Sequence, residues 1–140
     1  MRVRLSNQQS EATVRVRPLL RRLKASLPLL PRALPANLTT IQFVLVDRAT
    51  MARVHGQFLG DASETDVITF PYGEILVCPA VARDRAANDG LEVEQEVLLY
   101  ALHGLLHLAG YDDKTPKLAK EMARAQARLL QRVLEGQPPA

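Results

Sequence analysis

The sequence feature that most constrains the fold is a change of pattern near Pro79. Before this residue, the apolar segments are short and rich in β-branched residues, as in residues 39–46 (TTIQFVLV), which predicts strands. After it, apolar residues recur every three or four positions over longer segments, which predicts helices. Strands in one part of the chain and helices in another indicate an α+β domain built on one small sheet.

The element boundaries follow from turn and capping residues. Strands are predicted over residues 2–5, 39–46, 67–70 and 74–78, and Tyr72-Gly73 makes the last two a hairpin or close neighbours. Helices are predicted over residues 48–58, 79–88, 92–108 and 115–135. The first helix is expected over residues 11–26 with Ser10 as its cap, or from near Pro18, because proline is disfavoured inside a helix. Residues 60–65 are predicted to form a loop, and residues 135–140 a frayed tail.

Length and composition exclude several classes of protein. The 140 residues predict a single domain over residues 1–140, large enough to bury a core without disulfides. The one cysteine, Cys78, excludes an internal disulfide and fits a reducing cytoplasm, which is the expected location. No stretch of about 18 apolar residues exists, so no membrane span is expected, and the N-terminus lacks the apolar segment of a secretory signal.

The charge is mildly basic but unevenly distributed. The formal net charge is +3, and residues 1–35 contain one acid, Glu11, among many basic residues. The basic residues of this segment are Arg2, Arg4, Arg15, Arg17, Arg21, Arg22, Lys24 and Arg32. Such a segment is compatible with a nucleic-acid partner, although charge alone favours a solvated helix face.

The stretch HGLLHLAGYDD, residues 103–113, carries the chemistry of the chain. Four residues apart on a helix, His103 and His107 lie on one face and can point both imidazoles at one metal ion. Gly110 can end the helix in a left-handed conformation, so that the chain turns back with a third ligand. That ligand comes from Tyr111, Asp112 or Asp113, and the spacing typical of metzincins falls on Asp113. Three protein ligands leave a position open for water, as in catalytic zinc sites.

Gly104 stands where zinc peptidases of the H-E-x-x-H type have their general base. Glycine cannot accept a proton, so the sequence argues against an ordinary peptidase of that kind. The remaining chemistry is a metal that activates water or polarises a phosphoryl or carbonyl oxygen. Any general base must come from elsewhere in the chain.

Three segments resemble the YbeY family of bacterial single-strand endoribonucleases and ribosomal RNA maturation factors. HGLLHLAGYDD is similar to the family's H-G-x-L-H-L-x-G-Y-D-H signature, TDVITFP (residues 65–71) to its T-[DN]-V-[IL]-[ST]-F-P segment, and GEILVC (residues 73–78) to its G-D-[IL]-x-I-C strand. The resemblance covers roughly residues 40–135. It implies a mixed, mostly four-stranded sheet packed with helices, and one metal, usually zinc, held by three histidines of the signature at the end of a long helix.

The chain departs from the family at three positions. The resemblance makes His103 and His107 ligands, but its third histidine falls on Asp113. A carboxylate can replace imidazole there and shifts the preference toward harder ions, so the expected cofactor is one Zn²⁺ or another divalent metal. In the family pattern N-x-x-[YF]-R-G, Leu59 replaces the arginine and His55 replaces the asparagine. Leucine cannot pair with a phosphate as arginine does.

Four further residues are weaker candidates for substrate contacts. His55 is either a packed helix histidine or a substrate contact and proton carrier near the metal. Thr65 and Asp66 precede a strand, where they either form a turn or orient ligands and substrate. Tyr111 either stacks at the mouth of the site or packs under the end of the helix.

The leading hypothesis is a single-strand-specific, metal-dependent endoribonuclease in ribosomal RNA processing. The resemblance supplies this substrate class, small-subunit RNA 3′-end maturation and ribosome quality control, with single-stranded RNA and the small ribosomal subunit or its proteins as partners. DNA and membrane partners are not expected. The second hypothesis is an assembly factor of little or no activity whose metal is structural, which Leu59 and Asp113 favour slightly. A metal-dependent hydrolase of peptides or small molecules is the third.

Overall fold

A computed structural model of the chain describes residues 1–60 and 65–136. Its strands are β1 (Arg2–Gln8), β2 (Thr40–Val46), β3 (Val67–Phe70) and β4 (Glu74–Val77). Its helices are α1 (Val16–Ser26), α2 (Arg48–Leu59), α3 (Pro79–Asp89), α4 (Val93–Leu108) and α5 (Pro116–Glu135), and one 3₁₀ turn, Leu27–Leu29, follows α1. Residues 61–64 of the predicted loop and residues 137–140 of the predicted tail lie outside the described residues. The extent of the domain, 1–140, stays a prediction.

The four strands form one mixed sheet in the order β1-β2-β4-β3. β1 and β2 pair in parallel, as do β2 and β4, whereas β3 and β4 form an antiparallel hairpin. Gly73 shapes the hairpin turn: its φ is +109°, and a Cβ there would lie 2.5 Å from the carbonyl oxygen of Thr40. The α+β class, the small mixed sheet and the hairpin are therefore confirmed.

The sheet is covered by helices on both faces, because alternate residues of a strand point to opposite sides. On one face, residues of β1, β2 and β4 pack against α1, α4 and α5 in a cluster that includes Phe43, Ile75 and Leu105. On the other face, Val44 and Leu76 pack against Met51 of α2 and the start of α3. On the face covered by α1, α4 and α5, helix α4 packs against the β3–β4 hairpin. This contact positions the candidate metal centre.

The first helix begins at Val16, which confirms the predicted start near Pro18, whereas the alternative start at residue 11 is wrong. Pro18 is the third residue of α1, where a missing N–H is tolerated because the first turn has no intrahelical acceptor for it. A helix from residue 11 would have placed this proline in its interior. The preceding residues form a loop instead. In this loop the carboxylate of Glu11 accepts a hydrogen bond (2.8 Å) from the N–H of Arg48, the first residue of α2.

The first strand continues to Gln8, three residues beyond its predicted end. Ser6, Asn7 and Gln8 have no apolar pattern, but they pair in register with Val44, Leu45 and Val46 of β2. Pairing with a buried neighbour therefore outweighs the weak local strand preference of these polar residues.

Across residues 1–60 and 65–136, no helix combines the length and apolar character needed to cross a membrane.

Candidate metal centre

The last two turns of α4 and the loop after it bring His103, His107 and Asp113 together. One ligand atom from each residue lies within 4.8 Å of the others. α4 ends where Gly110 adopts φ +98°, a left-handed conformation that glycine takes without steric cost. The resulting turn brings Asp113 back toward the histidines, as the sequence predicts. That these three residues are metal ligands stays a prediction.

The two imidazole rings are held by hydrogen bonds on the side away from the group. His107 Nδ1 lies 3.0 Å from the backbone oxygen of Tyr111, and His103 Nδ1 lies 2.6 Å from Oε1 of Gln126 on α5. Both partners are oxygen acceptors, so each Nδ1 donates its proton, and in the neutral form of the ring the Nε2 atom keeps its lone pair. Outer partners of this kind fix the tautomer and orientation of metal-binding histidines.

The two Nε2 atoms face each other at 3.0 Å. Two lone pairs at this distance repel each other unless a proton or a metal cation lies between them. A tetrahedral zinc with Zn–N bonds of about 2.0–2.1 Å holds two nitrogen ligands about 3.3 Å apart. Together with the nearby carboxylate of Asp113, this donor set fits a divalent cation such as zinc.

The environment of His107 also favours the form that binds metal. Burial lowers the pKa of His107 from its ordinary value, and the neighbouring His103 lowers it further. The Tyr111 carbonyl and the carboxylates of Asp113 and Asp112 act in the opposite direction without cancelling the effect. The ring is therefore neutral at pH 7, and neutral imidazole is the form that coordinates metals.

Gly104 is required by packing. A Cβ at this position would lie 2.7 Å from Cγ2 of Ile75 and 3.0 Å from Oγ1 of Thr69. Ile75 is fully buried and β-branched, so its methyl groups have little freedom to move aside. α4 thus lies so close to the β3–β4 hairpin that a glutamate in the place of Gly104 does not fit. The missing base of the H-E-x-x-H pattern has a steric explanation.

A groove of about 750 Å³ opens beside the three candidate ligands, which line one part of it. β3 forms a second wall, and Phe58 at the end of α2 forms a third. We call this space the central groove. It combines apolar walls with a few convergent polar groups, which is the usual character of a binding site.

The other predicted site residues are distributed unevenly around the central groove. Asp66 lines it, but its carboxylate is engaged: Oδ2 accepts from Arg85 (2.6 Å) and Oδ1 accepts from the N–H of Val67 (2.8 Å). Thr65 contacts Asp66, with a long hydrogen bond of 3.5 Å. Both residues thus organise the start of β3. His55 is half-buried on α2 and is not among the described residues that line the groove.

Tyr111 contributes its backbone, whereas its side chain lies elsewhere. Its carbonyl holds His107, while its ring lies under the guanidinium of Arg32, 3.8 Å from the ring centroid, and lines a different groove beside α5. The ring is partly buried against the hydrophobic core, and a contact of Tyr111 with substrate stays a prediction. The side chain of Leu59, the position of the family arginine, lies outside the described part of the chain.

Gln126 is the residue of the site that the sequence does not reveal. It lies on α5 beside the apolar positions Met122 and Leu129, where a polar residue usually marks only the edge of a core-facing stripe. The sequence holds one weak signal: Gln126 follows the apolar Met122 by four residues, which places both on the same side of the helix. In the structure this side of α5 faces α4. It is the hydrogen-bond partner that connects α5 to the candidate centre.

Substitution Gln126→Ala is expected to lower metal affinity by about 10- to 100-fold, the usual cost of removing an outer partner of a metal-binding histidine. Gln126→Glu keeps an oxygen acceptor for His103 Nδ1 and is expected to retain most of the affinity. Titration with a fluorescent zinc competitor measures both variants. Equal affinities for wild type and Gln126→Ala would contradict this role of Gln126.

The fold and the site together define an α+β protein with a candidate His-His-Asp metal centre at the end of a helix, beside an open groove. A sequence model of the endoribonuclease YbeY family matches residues 4–134. An endoribonuclease YbeY of Renibacterium salmoninarum is 35% identical over 119 residues, which cover 73% of this chain and 76% of the relative. The chain therefore belongs to the YbeY family, which supports an RNA-cleaving role.

Other comparisons agree with this assignment. The endoribonuclease YbeY of Nocardia farcinica is 37% identical over 110 residues, which cover 65% of this chain and 60% of that relative. A protein of Thermotoga maritima, solved in solution, superimposes with a TM-score of 0.69 at 28% identity, covering 95% of this chain and 89% of the other. The four-stranded sheet and its helices are thus those of a known fold.

Proposed function

We propose that this protein is a single-strand-specific, metal-dependent endoribonuclease of the cytoplasm that matures ribosomal RNA. Its substrates would be the 3′ end of small-subunit RNA and the RNA of defective ribosomes. Its binding partners would be the small ribosomal subunit or the proteins of that subunit. The observation that carries the proposal is the pair of imidazole Nε2 atoms, 3.0 Å apart with both Nδ1 atoms engaged, in a groove of a YbeY family member.

The residues that would hold the ion are His103, His107 and Asp113. When bound, a divalent cation supplies Lewis acidity that stabilises the negative charge developing on a phosphodiester. Zinc suits the two imidazoles, while the carboxylate of Asp113 also admits harder ions. The half-buried histidines face the groove and the exposed aspartate lies at its rim, so an RNA strand can approach from the side of Asp113.

The remaining residues of the site act by positioning. Gln126 and the Tyr111 carbonyl keep the two rings oriented, so that little reorganisation accompanies substrate binding. The ion pair between Arg85 and Asp66 anchors the start of β3, which forms a wall of the groove. The apolar part of this wall excludes water and strengthens electrostatic interactions with the phosphodiester.

A second candidate function is a ribosome-assembly factor that binds RNA without cutting it. Leu59 favours it, because this residue cannot supply the phosphate contact that an arginine makes. Asp113 favours it as well, since a third ligand that is anionic rather than neutral reduces the Lewis acidity of a bound ion. Cleavage and binding, measured on one RNA, separate the two functions.

For the nuclease, we expect metal-dependent cleavage of a labelled single-stranded RNA that stops on addition of a chelator. Asp113→Ala is expected to lower the cleavage rate by at least about 100-fold, since losing a ligand costs more than losing an outer partner. Asp112→Ala removes the same charge one residue earlier and is the matched control, expected to stay within a few-fold of wild type. Gel analysis of the products, with zinc, manganese or magnesium added, provides the measurement.

Three results would contradict a nuclease that acts through the candidate metal centre. Chelator-resistant cleavage would place the activity outside the candidate centre. Tight binding of the same RNA without cleavage under any of the three metals would support the assembly factor instead. An equal loss of rate in Asp112→Ala and Asp113→Ala would show that net charge, rather than ligation, accounts for the effect.

A further inference from the structure

Three aromatic side chains lie in a row beside the candidate metal centre. Phe58 is at the end of α2, Phe70 at the end of β3, and Tyr72 in the β3–β4 turn. The centroids of Phe58 and Phe70 are 5.4 Å apart with nearly perpendicular rings, and those of Phe70 and Tyr72 are 5.5 Å apart with stacked rings. We call this set the aromatic row.

We propose that the aromatic row stacks the unpaired bases of an RNA strand that enters the central groove, and that it thereby selects single strands over duplexes. The proposal rests on the proposed function, since it adds the base-binding part of the same site. It assigns a role to residues outside the group of candidate ligands.

The aromatic row lies along the central groove, which also contains the candidate ligands. Phe58 and Phe70 line the central groove together with His103, His107 and Asp113, and Tyr72 stacks on Phe70. A strand whose phosphate lies at the ligands therefore passes the row with its adjacent nucleotides. The bases of such a strand can turn away from its backbone and toward the rings.

The rings at the two ends of the row are unusually exposed. Phe58 is 61% and Tyr72 is 68% exposed, so large apolar areas face solvent next to the site. Exposed aromatic surface that adjoins a polar pocket marks a contact with a ligand or partner. Nucleobases suit it because every base has a π-face, and stacking on aromatic side chains is the usual way in which proteins hold unpaired bases.

Hydrogen bonds hold the part of the row that belongs to the β3–β4 hairpin. The N–H of Gly73 donates to the carbonyl of Phe70 (2.9 Å) and the N–H of Gln42 donates to the carbonyl of Gly73 (2.8 Å), which fixes the turn. The Tyr72 hydroxyl donates to Oε1 of Glu74 (2.8 Å), which orients its ring. Rings that are ordered before binding lose little conformational entropy when a base stacks on them.

Selection of single strands follows from the geometry of stacking. In a duplex, each base has its faces covered by its neighbours and its edge paired, so no face is free for an aromatic ring. An unpaired base offers its face at the cost of unstacking from its neighbours alone. The aromatic row therefore adds affinity for single strands and none for duplexes.

The test is binding of an RNA with 2-aminopurine at successive positions, measured by anisotropy and by the quenching of 2-aminopurine on stacking. Full-length protein is used with metal and with chelator, the latter to prevent metal-dependent turnover. Phe58→Ala and Tyr72→Leu are each expected to weaken single-strand binding by about 5- to 100-fold and to abolish the quenching. Duplex binding is expected to be unchanged.

The control variants distinguish a loss of ring stacking from a loss of apolar side-chain volume and from a loss of the fold. Phe58→Tyr and Tyr72→Phe keep the rings and are expected to bind within about two-fold of wild type, whereas Tyr72→Leu keeps apolar bulk without a ring. Leu91→Ala changes another exposed apolar side chain, outside the described lining of the groove, and is expected to have no effect. Thermal melting of each variant reports the fold.

Unchanged single-strand affinity in folded Phe58→Ala and Tyr72→Leu would overturn the proposal, as would equal losses for single strands and duplexes. Either result would leave the row as a surface for a protein partner. Because the measurement with chelator reports binding without turnover, the absence of cleavage in the wild type would contradict the nuclease alone. Normal cleavage with unchanged binding in the variants would contradict the aromatic row alone.

Discussion

The double substitution His103→Ala/His107→Ala is expected to abolish stoichiometric metal binding and metal-dependent RNA cleavage together. These rings present two facing Nε2 atoms 3.0 Å apart, so the substitution removes both nitrogen ligands and leaves one exposed carboxylate. Loss of one outer partner costs about 10- to 100-fold in affinity, so the loss of two ligands is expected to exceed about 1,000-fold. Elemental analysis of purified protein, coupled to the cleavage assay, is the measurement.

The chain offers a matched control for this experiment, because it contains three histidines in all. The third, His55, lies on α2 outside the group formed by His103, His107 and Asp113. His55→Ala is therefore expected to keep wild-type metal content. Full metal occupancy in the double variant would show that the ion binds elsewhere and would remove the basis of the proposed site.

The second large effect concerns Gly104→Glu, which creates the H-E-x-x-H sequence of zinc peptidases. We expect this variant to be destabilised by more than about 3 kcal/mol and to gain no peptidase activity. Its Cβ alone would lie 2.7 Å from a methyl group of the fully buried Ile75. Overpacking of this kind costs about 1–3 kcal/mol, and burying a carboxylate between α4 and the hairpin adds to that cost.

Denaturant unfolding followed by circular dichroism measures the destabilisation. Gly104→Ala tests the steric part alone: its expected loss is smaller, because alanine favours the helix by about 1 kcal/mol over glycine. Ala127→Glu adds the same carboxylate on an exposed position of α5 and is expected to change stability by at most about 0.5 kcal/mol. Wild-type stability of Gly104→Glu would contradict the close contact between α4 and the hairpin.

The sequence predicts well those elements whose ends are marked by a capping residue, a proline or a glycine. The side chain of Asp47 accepts a hydrogen bond from the N–H of Thr50 (2.7 Å), and that of Thr115 accepts one from the N–H of Leu118 (3.2 Å). These caps begin α2 and α5 where predicted. Pro79 begins α3, and the left-handed Gly110 follows α4. Such signals depend on a few neighbouring residues, so they can be found without the fold.

The features that the sequence does not reveal depend on distant parts of the chain. The end of β1 is set by its pairing with β2, more than thirty residues away in sequence. The order β1-β2-β4-β3 likewise places β2 beside β4 rather than beside β3, the next strand along the chain. Contacts of this range leave no local pattern.

The candidate site also combines residues that the sequence predicts with residues that it does not reveal. The spacing of His103, His107 and Asp113 predicts the group because a helix and one turn bring them together. By contrast, Gln126 enters from α5, and the aromatic row is assembled from α2, β3 and a turn. Packing of separate elements decides both features, as it also decides the role of Gly104.

All three candidate ligands belong to one continuous stretch, from His103 to Asp113. An ion held there would link this stretch to itself, so it would close only a short loop and restrict the unfolded chain little. The unfolded chain also keeps the two histidines close in sequence, and binding to that state reduces the stabilisation that an ion provides. The sheet and its helices must then hold the fold on their own. Exchange of a bound ion would therefore proceed in a folded protein, and metal supply rather than folding would determine which ion the proposed site carries.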